Sequence, residues 1–191
     1  MDFNRTLALI RGMLFEPRVT SEGYAAENRD WQYTAITLTL PLIVASAIAA
    51  WLVRLIFSGF YLLSGGGIPG LILGIILGLA AIALLGFVLA ALAGAFKGAN
   101  VFSKAFACAS LAMVPMYVAQ VFGAVPLIGP LILIVAVIWS LVLLYRMIPL
   151  YLAVPDDKRL AHFIVSVIAL LLIYAVLTTL WYPGYGSRAS A

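Results

Sequence analysis

The sequence predicts an all-α integral membrane protein: five transmembrane helices preceded by an N-terminal amphipathic interfacial helix. Three observations carry this. Hydrophobic residues make up 65% of the 191-residue chain and charged residues only 9%, against about 25% charged in an average soluble domain. Apolar runs long enough to cross roughly 30 Å of hydrocarbon alternate with short breaks rich in Gly, Pro or charge. The basic residues then gather in alternate breaks, as an orientation signal requires. The net charge of +4 is spread along these breaks, so no nucleic-acid partner is expected.

Residues 1–32 read as a cytoplasmic segment. Phe3, Leu7, Ile10 and Leu14 recur at spacings of four, three and four, which stacks them on one side of a helix. Such a helix either lies in the headgroup boundary, with Arg5 and Arg11 towards anionic lipid, or docks under the bundle. Pro17 discourages its continuation past Phe15. A mixed-charge connector follows, helical from about Ser21. Without an apolar core followed by a small-residue cleavage site, these residues are not expected to be a cleaved signal peptide.

A membrane domain over 33–182 comes next, and 183–191 form a short tail. The first span covers about 33–57, between Trp31 and Tyr33 at one end and Trp51 and Tyr61 near the other, the ring placement of two water interfaces. The Gly65-Gly66-Gly67 loop and Pro69 open the second span, which reaches about residue 95 and must tilt, bend or protrude. Along it Gly70, Gly74 and Gly78 recur every four residues, and Gly86, Ala90 and Gly94 continue the series. Small residues let helix backbones approach closely, so this seam packs within the bundle or between two copies of the chain.

The third span, about 105–123, holds Pro115, where a missing donor predicts a kink, with Tyr117 and Gln120 just beyond. The fourth starts near Leu131 and contains Trp139, Ser140 and the stretch Tyr145-Arg146-Met147-Ile148-Pro149. The fifth covers about 160–180, after Asp156 and Asp157. Arginine in hydrocarbon costs about 3 kcal/mol or more, so Arg146 must pair, snorkel or face water. We expect it either to snorkel to the cytoplasmic interface or to pair with Asp156 or Asp157 and so pin the last two spans. The functional alternative is a polar pocket of Arg146, Tyr145, Tyr151 and Pro149 for an anionic headgroup.

No catalytic or metal constellation is legible. The lone Cys108 excludes an internal disulfide and reads as a small buried hydrophobe, and the lone His162 has no partner in the sequence. Adjacent acids at a helix start, such as Asp156 and Asp157, are far more often a cap than a carboxylate pair. We expect no enzyme, no cofactor and no metal. The leading expectation is a scaffold or interaction protein that binds a partner or lipid at its cytoplasmic face; homo-oligomers and membrane-protein partners are the candidates beside the bilayer. The alternative is a small transporter or channel with a path near Pro115, Gln120 and Arg146.

Leu14-Phe15-Glu16-Pro17, Glu27-Asn28, Pro115, the run from Gly129-Pro130 to Trp139, and above all Tyr145 to Pro149 before Val154-Pro155-Asp156-Asp157-Lys158 together resemble the Yip domain family. The likeness is greatest to its small bacterial inner-membrane members. The resemblance implies five spans with a cytosolic N-terminus and the C-terminus across the membrane. Eukaryotic relatives are linked to Rab GTPases and vesicle traffic. The charges imply the same topology independently. With five spans, Arg5, Arg11, Arg18, Arg29, Lys97, Lys104, Arg146, Lys158 and Arg159 share one side, and only Arg54 and Arg188 the other. A reporter fused after Ala191 should therefore be silent if it works only in the cytoplasm; a cytoplasmic signal would overturn this topology.

Overall fold

A computed structural model describes residues 3–57, 67–123 and 125–181. Among these every regular element is a helix: α1 (Phe3–Phe15), α2 (Pro17–Ala26), α3 (Trp31–Thr34), a π-helical stretch (Ala35–Thr39), α4 (Leu40–Phe57), α5 (Ile68–Ala95), α6 (Phe102–Ala112), α7 (Val114–Gln120), α8 (Ile128–Leu152) and α9 (Asp156–Trp181). The tail 183–191, Gly65, Gly66 and Tyr61 lie outside the described residues.

Four continuous helical stretches are long and apolar enough to cross a membrane: Trp31–Ile56, Ile68–Ala95, Ile128–Leu152 and Asp156–Leu177. The pair α6 and α7, bent by 41°, makes a fifth if it is one broken span. Prolines explain where helices begin and break. Pro17 and Pro69 sit in the opening turns of α2 and α5, where an N–H has no acceptor to lose. Pro115 is in the opening turn of α7, so the expected kink is a break at Met113. Pro149 lies inside α8 without ending it.

One end of the bundle gathers α2, the loop after α5 and the junction of α8 with α9. The Ala99 amide donates to the Leu152 carbonyl at 2.6 Å, Trp31 meets the edges of Phe102 and Phe106, and Tyr151 reaches α2. These are the segments in which the sequence concentrates basic residues.

The core is small-residue packing around leucines. Ala105 to Ala112 is buried on every side, and Leu85, Leu89, Leu143, Leu144 and Ile148 fill the space between α5, α6 and α8. The glycine seam is largely spent inside the chain. A Cβ at Gly86 would stand 3.1 Å from the Phe106 Cα, one at Gly78 3.2 Å from Ile43, and one at Gly94 3.3 Å from Asn100. Gly74 is half-buried, and nothing lies within 4 Å of a Cβ at Gly70. Outward faces of α8 and α9 carry Leu131, Ile134, Ile138, Leu171 and Leu172, all more than half exposed, as lipid-facing surfaces should be.

Gly86→Leu should destabilise the folded protein by about 1–3 kcal/mol, because α5 and α6 must separate, whereas Gly70→Leu should leave stability unchanged. Unfolding in mixed micelles measures both; equal effects would refute close approach at Gly86 alone.

Candidate functional site

A proline in a helix removes the N–H that would bind the carbonyl four residues earlier. In an apolar surround that carbonyl needs another donor. Two span prolines have one.

The first is Pro41. Its missing N–H frees the Thr37 carbonyl, in the π-helical stretch that opens immediately before it. Thr6 of α1 donates its hydroxyl to that carbonyl at 2.6 Å and is itself buried. Around this bond, Met13 is fully buried and Leu9 and Ile10 pack on the core. The apolar stripe expected of α1 is therefore divided. Leu9, Ile10 and Met13 face the bundle, whereas Phe3, Leu7 and Phe15 are exposed by at least half.

Helix α2 is held beside it. Tyr151 of α8 donates its hydroxyl to the Ser21 carbonyl at 2.9 Å. Tyr24 lies 2.8 Å from the Thr34 hydroxyl, which in turn donates to the Asp30 carbonyl. Burial above all raises the Tyr24 pKa from its ordinary value, so the phenol stays a neutral donor. Arg5 pairs with Glu27, and Arg29 joins the same carboxylate at 3.2 Å while stacking over Tyr33, 4.8 Å from its ring centre. Deeper in the bundle, Thr39 donates to the Ser110 hydroxyl at 2.9 Å.

The second is Pro149, whose freed carbonyl belongs to Tyr145. Arg159 of α9 donates Nε–H to it at 2.9 Å, lies 4.0 Å from the centre of the Tyr145 ring, and has Nη1 4.0 Å from Asp156. Phe163 meets the same ring edge-on, with centroids 5.3 Å apart. One cation thus serves a carbonyl, a ring and a carboxylate where α8 joins α9.

The residues singled out in the sequence are distributed around this junction. Tyr145 and Pro149 are half-buried in it, and Tyr151 is buried. Asp156 and Asp157 open α9 and are exposed. Arg146 is exposed on a stripe of α8 with Trp139, Val142 and Leu150. Among the described residues it is Arg159, not Arg146, that approaches Asp156. Arg146 stands six residues before Leu152, about 9 Å along the axis, within reach of the interface for a snorkelling side chain. Of the polar residues considered for a path, Tyr117 donates to the Gly78 carbonyl at 3.4 Å, Gln120 is exposed, and Ser140 is buried with its hydroxyl unpartnered among the described residues. His162 is buried, with Nε2 3.4 Å from the Leu89 carbonyl and its ring edge-on to Phe96. Cys108 is buried. The described residues hold no cluster of three or more side chains suited to a metal ion.

Sequence reasoning missed Thr6, Thr37, Pro41 and Arg159. The usable signal was the pair formed by each span proline and the carbonyl four residues before it; which side chain answers that carbonyl is not encoded locally.

The Yip1 domain family model matches residues 11–178, from within α1 to within α9 and so across the whole arrangement. The chain belongs to the Yip1 domain family. Comparison with curated proteins and with solved structures gave no match. As a Yip1-family chain with four or five apolar spanning helices, it is a multi-pass membrane protein in contact with the lipid bilayer.

Removing either donor orphans a carbonyl, buried at Thr37 and part-buried at Tyr145, so Thr6→Val and Arg159→Gln should each destabilise by about 1–3 kcal/mol. Restoring the missing amide should relieve the loss: Thr6→Val in a Pro41→Ala background, and Arg159→Gln in a Pro149→Ala background, should cost less than half as much. Double-mutant cycles on unfolding free energy measure the coupling; strict additivity would refute the pairing of donor and proline. Arg146→Ala should change stability less than Arg159→Gln.

Proposed function

We propose that this Yip1-family protein is a membrane scaffold of the inner (plasma) membrane, with α1 and α2 forming a fixed cytoplasmic platform on which a protein partner or lipid assembles. The observation that carries the reading is the clamping of both helices to the spans by buried hydrogen bonds, Thr6 to Thr37, Tyr24 to Thr34 and Tyr151 to Ser21. A segment held this way presents one defined surface, so a binding partner meets groups that are already ordered. That surface carries exposed Phe15, Val19 and Glu22, with Arg18 paired to Glu22. The excess of basic residues at this end supports a cytoplasmic assignment by the positive-inside rule. Polar groups within the spans support the same reading, since Tyr117, Thr39 and His162 are engaged between helices. The reading is of an interaction protein and not an enzyme.

Photocrosslinking side chains placed at Val19 and Glu22 should each give one discrete adduct in cells, absent from the lipid-facing control Leu172. Indistinguishable labelling at all three positions would overturn the scaffold reading. A solute flux in proteoliposomes of the purified protein would replace it with a transport path near Pro115, Gln120 and Arg146.

A further inference from the structure

A small cavity of about 40 Å³ lies between α2, the first turn of α6 and the end of α8, lined in part by Tyr24, Asn28, Arg29, Ser103, Lys104 and Tyr151. Its lining holds two cations and no carboxylate. Arg29 shares Glu27 with Arg5, and Lys104 is exposed with no ion pair among the described residues. Lys104 also occupies the opening turn of α6, which has no acidic residue and no side-chain cap on Val101. A helix start favours negative charge, and Lys104 there, with Arg29 sharing its one carboxylate with Arg5, brings positive charge to a lining that holds no carboxylate of its own.

The donors and walls are separable. The Tyr24 and Tyr151 hydroxyls are committed to Thr34 and Ser21, so their rings serve as walls. The donors left to an occupant are the Asn28 amide, the Ser103 hydroxyl, the Lys104 ammonium and free N–H groups of Arg29. Space for roughly three water-sized groups limits the occupant to a compact anion. Several acceptor oxygens on one small centre match donors arriving from one helix, α6, and the turn after α2. Leu150, 43% exposed on the outward stripe of α8, also lines the cavity, so apolar surface adjoins it.

We propose that this cavity binds a phosphate group, carried by an anionic lipid headgroup or as free inorganic phosphate. The site rests on the platform reading, because α2 supplies one wall. Arg146 takes no part in it; the cations are Arg29 and Lys104.

The test uses the full-length protein purified in detergent, with native mass spectrometry and thermal unfolding in the presence of phosphatidylglycerol, phosphatidylcholine or inorganic phosphate. Saturable binding of one phosphatidylglycerol per chain, weakened about tenfold by Lys104→Gln and by Arg29→Gln but not by Lys97→Gln, is expected if the phosphate is a lipid's. The same dependence on Lys104 with inorganic phosphate alone, seen as a thermal shift, establishes the free ion as the source. Arg29→Gln also removes an ion pair with Glu27, so Lys104→Gln decides where the two disagree. Binding that is absent, or that falls equally with Lys97→Gln and Lys104→Gln, overturns the site. Limited proteolysis of the same samples separates the two claims. Protected α1 and α2 without phosphate binding overturns the site alone, and unprotected helices overturn the platform and the site together.

Discussion

A carbonyl that loses its helical partner inside hydrocarbon has no water to turn to, and the arrangement of this protein follows from that constraint. Pro41 and Pro149 each create such a carbonyl. Each is answered by a side chain from another segment: Thr6 from the N-terminal helix, Arg159 from the start of the last span. The prolines thus act as attachment points as well as helix irregularities. Pro115 is resolved differently, by a break at Met113 that begins a new helix in which the proline needs no donor.

The same economy explains the position of the N-terminal segment. Helix α1 has apolar residues on more than one side, and only part of them can face the bundle. Thr6 decides which part, because its hydroxyl must reach Thr37, and Met13, Leu9 and Ile10 then fall against the core. Phe3, Leu7 and Phe15 are left outward. Once α1 is fixed, the bonds from Tyr151 and Tyr24 hold α2 over the ends of the spans. A scaffold surface and a phosphate cavity both become conceivable only because these helices are docked.

Burial of charge is handled by placement at the ends. Arg159 is 21% exposed in its side chain and has a carbonyl, a ring and a carboxylate around it, which is how a partly desolvated guanidinium is made tolerable. Arg146 is accommodated by the other means, an outward position from which a long side chain reaches the interface. Of the two means the sequence offered for Arg146, snorkelling or pairing with an aspartate, the outward position suits the first, and Arg159 is the arginine beside Asp156.

Sequence alone determined the helical membrane class and the family, because hydropathy and short motifs leave periodic or local marks. The position of Gly86 in a small-residue series and of Pro115 within a span could be read locally, whereas the approach of Gly86 to Phe106 could not. What only the tertiary structure decided was partner choice. Thr6 and Thr37 are 31 residues apart and Tyr151 and Ser21 130 apart, and no local pattern says which hydroxyl meets which carbonyl. Arg146 and Arg159 show the limit most clearly. Both are arginines within 13 residues of one another around the α8–α9 junction, yet the rotation of α8 turns one outward while the start of α9 brings the other over Tyr145, and rotation about a helix axis is set by packing against neighbours that the residue itself does not encode.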